Sequence, residues 1–214
     1  NTCTKCGKKL GDEWLLPYCA TCKERPMLFD KGYACTSYNL YSKQMVFALK
    51  FKGKTYMADP IANAMCDKLI LEDALNYDYI VPVPISKSRL SERGYNQCLL
   101  IARELSKKMD IPTLDCLNRF KNTLALKGLG QEERQRAMEN AISFKNGFDI
   151  KGKSILILDD IFTSGATMNA GSSVLRKENP AKIDFIVFAR SGNRHSYTDS
   201  DYEATDSDYA ATES

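Results

Sequence analysis

The sequence predicts an α/β fold: a mainly parallel, Rossmann-like sheet with helices on both faces, preceded by a small metal-binding module. Three observations predict it. Ile155-Leu156-Ile157-Leu158 runs without a polar break into Asp159-Asp160 and then into small and hydroxyl residues. An unbroken β-type run of this kind reads as a strand buried on both faces, the environment of a parallel sheet. Tyr79-Ile80-Val81-Pro82-Val83-Pro84-Ile85 and the run Ile183–Ala189 read as further strands of the same kind. Finally, Cys3-x-x-Cys6 and Cys19-x-x-Cys22 form two tight pairs near the start.

The stretch after Leu158 carries the chemistry. Ligands of open parallel sheets bind at the carboxyl ends of the strands. The acid pair is expected where the strand ends, and Thr167–Lys177 is expected to be the next helix, with Pro180 beyond its exit. Backbone N–H groups of a turn entering a helix cradle phosphate. Adjacent carboxylates repel phosphate but accept hydrogen bonds from sugar hydroxyls. The reading is a ribose 5-phosphate site, with hydroxyls at Asp159 and Asp160 and phosphate over Thr163, Ser164, Gly165, Ala166 and Thr167.

The 214 residues suffice for one substantial domain and a small accessory one, expected at 31–191 and 1–30. No apolar run approaches the roughly 20 residues that span a bilayer. No signal peptide is legible, so no membrane insertion is expected. Net charge is +3, but from Gly192 onward six acids oppose one Arg, which leaves 1–191 at +8. A basic body suits phosphorylated ligands or nucleic acid. The tail 192–214 repeats TDSDY and lacks large aliphatic residues. It is expected to be disordered or non-native.

Each CxxC aims two sulfurs at one point, so the pairs together supply the four soft ligands of a closed, structural zinc site at Cys3, Cys6, Cys19 and Cys22. The segment between them, with Trp14, Leu15 and Leu16, is too small to form a core alone, and metal binding supplies the missing folding energy. The other four cysteines, Cys35, Cys66, Cys98 and Cys116, lie scattered in apolar surroundings, which places the chain in a reducing, cytosolic compartment.

Along the chain, Tyr33–Tyr38 reads as a strand, and Leu40–Phe51 and Pro60–Leu71 as amphipathic helices. Lys50-Phe51-Lys52-Gly53-Lys54 puts cations and an aromatic at a helix exit, able to meet nucleic acid through phosphate contact and stacking. Cations also suit that end of a helix dipole without any ligand. Prolines Pro82 and Pro84 remove ladder donors, so that strand must end at an edge or loop. Ser86–Asn96 reads as a loop, with Lys87, Arg89 and Arg93 facing a diphosphate or nucleic-acid backbone, or plain solvent. Gln97–Met109 reads as a helix, Leu114–Phe120 as a strand, 121–130 as a loop, Glu132–Asn140 as a charged helix and Ala141–Phe144 as a strand. Gly147-x-x-x-x-Gly152-Lys153-Ser154 matches a P-loop by letter, but a P-loop leads into a helix, and this one leads into a β-type run.

Taken together, the four-cysteine module, Lys50-Phe51-Lys52-Gly53, Ile80-Val81-Pro82-Val83-Pro84, Arg93-Gly94-Tyr95-Asn96-Gln97 and LDDIFTSGAT resemble the ComF family, including the competence protein ComFC and GntX-like proteins. The resemblance covers 3–191. It implies a type I phosphoribosyltransferase fold carrying a zinc ribbon, with the phosphoribosyl diphosphate loop at Asp159, Asp160 and Thr163–Thr167. It implies a role in natural transformation, handling incoming single-stranded DNA in the cytoplasm beside the ATP-driven translocase ComFA. The sequence departs from the family pattern at Leu126 and Ala137, where Gln and Asn are expected, and at Tyr95, where the family has phenylalanine. The alternative is a working transferase, with phosphoribosyl diphosphate as donor, Mg²⁺ neutralising its diphosphate and an acceptor that no motif identifies.

Overall fold

A four-stranded, all-parallel sheet forms the centre of the computed structural model, which describes residues 2–11, 15–25, 27–120 and 141–191. Its strands are β1 (Gly32–Ser37), β2 (Tyr79–Pro82), β5 (Ser154–Phe162) and β6 (Lys182–Arg190), in the order β1-β6-β5-β2. A second, antiparallel pair joins β3 (Leu117–Arg119) to β4 (Ile142–Phe144). The helices are α1 (Ala20–Glu24), α2 (Leu40–Phe51), α3 (Ala58–Leu71), α4 (Lys87–Arg93), α5 (Gln97–Met109) and α6 (Ala166–Arg176).

The topology follows from the buried runs. In β5, Ile155, Leu156, Ile157 and Leu158 are all 0% exposed, and in β6 the whole span Ile183–Ala189 is buried. Strands buried on both faces need helices on both faces. The crossover from β1 through α3 to β2 runs across the sheet in one direction, and that from β5 through α6 to β6 runs back. Right-handed crossovers in opposite directions put α3 and α6 on opposite faces. Helix α5 packs beside α3 and against β2 and β5.

At the centre, Phe162 stacks on Phe185 with centroids 5.1 Å apart, and Phe29 meets Phe185 edge-on at 4.7 Å. Gly32 leaves room for this group, because a Cβ there would lie 2.2 Å from the Phe185 ring. At the opposite end of the sheet, the fully buried Asp184 accepts from Tyr77 Oη at 2.7 Å and Lys31 N at 3.0 Å and pairs with Lys182 at 2.8 Å.

Several sequence expectations are met closely. Helices α2 and α5 have the expected bounds, and the proline-containing strand β2 is the sheet's edge. Ser154 opens a strand, as the rejection of a P-loop requires.

Others are corrected. The acid pair does not follow the end of β5: the strand continues through Asp159 and Asp160 to Phe162. Strand β2 leaves the ladder at the Pro82–Leu158 pair, so the acids lie where β5 has β6 on one side only. The cationic segment expected as a loop contains helix α4. Ser86 caps it by accepting from Arg89 N at 3.4 Å, and Gly94 closes it at φ 80°. Strand β3 is shorter than Leu114–Phe120, and α3 starts at Ala58 instead of Pro60. The expectations for Trp14, 121–130, Glu132–Asn140, Leu126, Ala137 and the tail 192–214 lie outside the described residues.

Candidate functional site

The rim of the sheet at the C-terminal end of β5 gathers residues from four elements. Asp160, on β5, is 3% exposed. Its Oδ1 lies 2.9 Å from Lys50 Nζ, at the last turn of α2, and its Oδ2 accepts from Gln97 Nε2 at 2.8 Å, at the start of α5. Asp159 is half-buried, and its Oδ1 accepts from Asp160 N at 2.8 Å and from the Cys98 thiol at 3.2 Å.

Two anchors bring α5 and α2 here. Asn96 caps α5 by accepting from Cys98 N at 2.9 Å and donates its own amide to Val83 O at 3.0 Å, which ties the helix start to the end of β2. Tyr95 donates its hydroxyl to the Leu49 carbonyl, which ties the same junction to the turn that carries Lys50.

Thr163, Ser164 and Gly165 form the bend between β5 and α6, with Ala166 and Thr167 in the first turn of that helix. Thr163 and Ser164 are exposed, Gly165 is buried, and Ala166 and Thr167 are half-buried. Gly165 takes φ 81°, and a Cβ there would stand 2.7 Å from the Phe162 ring, so both its conformation and its space exclude a side chain. A glycine-containing bend leading into an 11-residue helix presents N–H groups at the positive end of the dipole.

The predicted cations divide. Lys50 is 7% exposed and committed to Asp160, so the structure does not offer it to a nucleic-acid backbone. The reason is that Asp160 is buried in a strand and requires a counter-charge. Lys52 is exposed, with its ammonium 5.7 Å from the Phe47 ring centre. Lys87 is exposed and Arg89 half-buried. Arg93 lies 5.3 Å over the Phe51 ring and donates to Gln97 Oε1.

Electrostatics single out Asp159. Burial first, and the neighbouring Asp160 charge second, push its carboxyl from an ordinary 3.8 up to about 7, against the pull of Lys50. A raised acid holds its proton longer in the folded chain than in the unfolded one. Its contribution is therefore nil below pH 3.8, falls as pH rises toward about 7, and is constant above. Denaturant unfolding across this range is expected to show Asp159→Asn gaining stability relative to wild type as pH rises. A difference that does not change with pH would refute the assignment.

Away from this rim, the sulfur atoms of Cys3, Cys6, Cys19 and Cys22 all lie within 4.8 Å of one another. Cys6 and Cys19 stand 3.7 Å apart, far beyond a disulfide. Four thiolates at Zn–S distances of about 2.3 Å would be about 3.8 Å apart, so the arrangement fits a tetrahedral ion. The Cys19 amide donates to Cys3 Sγ at 3.2 Å. The hydrogen bond between Cys6 and Cys22 lowers the pKa of the Cys6 thiol and raises that of Cys22, so the four sulfurs share charge as one group. The cluster can hold a soft metal ion such as zinc.

Comparison with known proteins places this geometry. Residues 96–211 match the phosphoribosyl transferase domain, more than half of the chain. The chain belongs to the phosphoribosyl transferase family. Competence protein F of Haemophilus influenzae is 29% identical over 199 residues, covering 88% of this chain and 84% of that protein. Competence protein ComFC of Bacillus subtilis is 25% identical over 193 residues, covering 88% and 78%. DNA utilization protein YhgH of Salmonella typhi is 25% identical over 197 residues, covering 88% and 84%. The resemblance to the ComF family read from the sequence is thus shown over 88% of this chain.

The matched transferase domain contains Asp159, Asp160 and the bend that follows, whereas Lys50 and the four cysteines precede it. No pattern in the sequence assigns a role to three residues at the transferase rim. Cys98 was grouped with scattered apolar cysteines, although it donates to Asp159. Gln97 carried no assigned role, although it bridges Arg93 and Asp160. Arg119 comes to the rim through the bridge of β3 to Ser86. Burial and Arg89 lower its pKa while Asp159 raises it. A lone Arg on a short strand has no spacing signal. Among the described residues, no helix is long and apolar enough to cross a membrane.

Proposed function

We propose that this chain is a ComF-type protein of natural competence, which binds phosphoribosyl diphosphate at the β5 rim and handles single-stranded DNA on the adjoining surface, in the cytoplasm. The observation that carries the reading is a continuous chain of contacts between the two surfaces. Phe51 underlies Arg93, Arg93 bonds Gln97, and Gln97 bonds Asp160. An aromatic pair with cations beside it suits unstacked bases and their phosphates: Phe47 and Phe51 have ring centres 5.0 Å apart, with Lys52 and Arg93 against them. The names of the relatives, competence and DNA utilization proteins, support the same direction.

In this reading the ribose hydroxyls of the ligand lie toward Asp159 and Asp160, and its 5-phosphate on the N–H groups of Thr163–Thr167. Mg²⁺ travels with the ligand's diphosphate. Zn²⁺ occupies the cysteine cluster of a ribbon spanning 1–30, ahead of a transferase-like body at 31–191, and an ATP-driven translocase of the ComFA type is the protein partner.

The test is oligonucleotide affinity as a function of salt. Binding is expected to weaken steeply with salt, and Lys52→Glu to lower the log–log slope by about 0.7 for one lost phosphate contact. Phe51→Ala should weaken binding by about 1–3 kcal/mol with the slope unchanged. Affinity that ignores salt, or that neither variant alters, would remove this surface from the proposal.

A further inference from the structure

A cation is already built into the acid pair. Lys50 Nζ lies 2.9 Å from Asp160 Oδ1, with only 7% and 4% of the two side chains exposed. Gln97 occupies Asp160 Oδ2 at 2.8 Å, and the Asp160 amide and the Cys98 thiol converge on Asp159 Oδ1 at 2.8 and 3.2 Å. Three of the four carboxylate oxygens therefore have donors from the chain itself.

Cys98, Asp159 and Asp160 bring their ligand atoms within 4.8 Å of one another, the spacing of a candidate ion site. Magnesium does not fit it. Mg²⁺ needs near-octahedral oxygen ligands at about 2.0–2.1 Å and gives up water reluctantly. A thiol is a poor ligand for so hard an ion. To reach Asp160 the ion would have to displace a buried ammonium, and two positive charges cannot share that oxygen. The residues fit a neutralised carboxylate that faces a sugar, with Asp159 as the half-buried member left toward the ligand.

We propose that Lys50 neutralises the acid pair in place of a divalent cation, so that the rim takes ribose 5-phosphate without Mg²⁺. The inference rests on the sugar-phosphate reading above and adds the ion that the site does without. A diphosphate-bearing ligand brings Mg²⁺ on its own oxygens, so ribose 5-phosphate, which has no diphosphate, isolates the acid pair. Lys50 acts here as a positioning residue: it holds Asp160 and sets the charge that Asp159 presents.

The experiment is calorimetric titration of ribose 5-phosphate into the zinc-loaded full chain, in Mg²⁺-free buffer and with Mg²⁺ in excess. No chelator is added, because it would strip the cysteine cluster. Wild type is expected to bind within about threefold in the two buffers. Lys50→Met is expected to lose about 100-fold without Mg²⁺ and to recover at least about tenfold with it, since the ion can then approach an unpaired Asp160. A merely structural lysine would not make binding depend on magnesium. Lys50→Met/Asp160→Asn removes both charges and is expected to bind without Mg²⁺ at least about tenfold more tightly than Lys50→Met.

Wild-type binding that requires Mg²⁺ would overturn the inference and leave the sugar-phosphate reading standing. Absence of wild-type binding in both buffers would overturn the reading, and the inference with it. A folded double variant no better than Lys50→Met would also overturn the inference. If circular dichroism finds Lys50→Met unfolded, the wild-type comparison decides alone.

Discussion

A metal ion at the four-cysteine cluster is expected to be what keeps residues 2–11 and 15–25 folded, so that stripping it unfolds them outright while the parallel sheet persists. The segment has little core of its own. Among its described residues, Leu10 is the one large aliphatic side chain that is buried, and Leu15, Leu16 and Tyr18 are 95%, 44% and 45% exposed. So little buried apolar surface does not offset the entropy of ordering the segment, and metal binding supplies the missing folding energy. Gly7 against the backbone of Gly32, Lys5 Nζ to Phe29 O at 2.6 Å and Arg190 Nη1 to Cys6 O at 3.4 Å hold the segment in place.

Purified protein should contain about one zinc per chain. Chelation, or Cys19→Ser, should bring amide exchange in 2–11 and 15–25 to the rate of an unfolded chain while β5 and β6 stay protected. The second effect to watch is downstream. Leu28 N donates to Asn169 Oδ1 at 2.8 Å and Arg176 pairs with Asp30 at 2.7 Å, so the linker is latched to α6, the helix that follows the phosphate bend. Exchange in α6 is expected to rise modestly. Protein free of metal with full protection in 2–11 and 15–25 would disprove the structural role.

What was legible in the sequence was whatever a local pattern encodes. Ile155–Leu158 announces a doubly buried strand, the CxxC pairs announce their own convergence, and the helices Leu40–Phe51 and Gln97–Met109 begin at the expected residues. What was not legible depends on charges that meet only after folding. The acid pair reads as the end of a strand because two carboxylates oppose burial. Lys50 and Gln97, from two other elements, satisfy Asp160, and the strand runs on to Phe162. Lys50 itself reads as a solvated helix end, since nothing local reveals that the last turn of α2 faces β5. Helix α4 is a different case: its local caps, Ser86 and Gly94, stand at either end, but three cations suggested a ligand loop.

That dependence on partners predicts the behaviour of the Lys50–Asp160 pair in stability measurements. Lys50→Met leaves a buried carboxylate without its counter-charge and is expected to destabilise the chain by about 3–5 kcal/mol. Asp160→Asn strands the buried ammonium and should cost a similar amount. The double variant removes both charges, and Gln97 can still donate to the new amide oxygen, so it should return to within about 1–2 kcal/mol of wild type.

The exposed pair of Lys107 with Glu104, 2.7 Å apart with side chains 69% and 31% exposed, is the internal control. Its distance is no longer than that of the buried pair, yet solvent screening limits Lys107→Met to below about 1 kcal/mol. Denaturant unfolding of the five proteins separates the two cases. Equal, small effects at both lysines would mean that Asp160 is solvated in the folded chain. A large effect at Lys50 without rescue in the double variant would mean that its carbon stem, and not its charge, holds α2 against the sheet. Only the rescue pattern is consistent with a rim that places two adjacent carboxylates in a strand by neutralising one of them from inside.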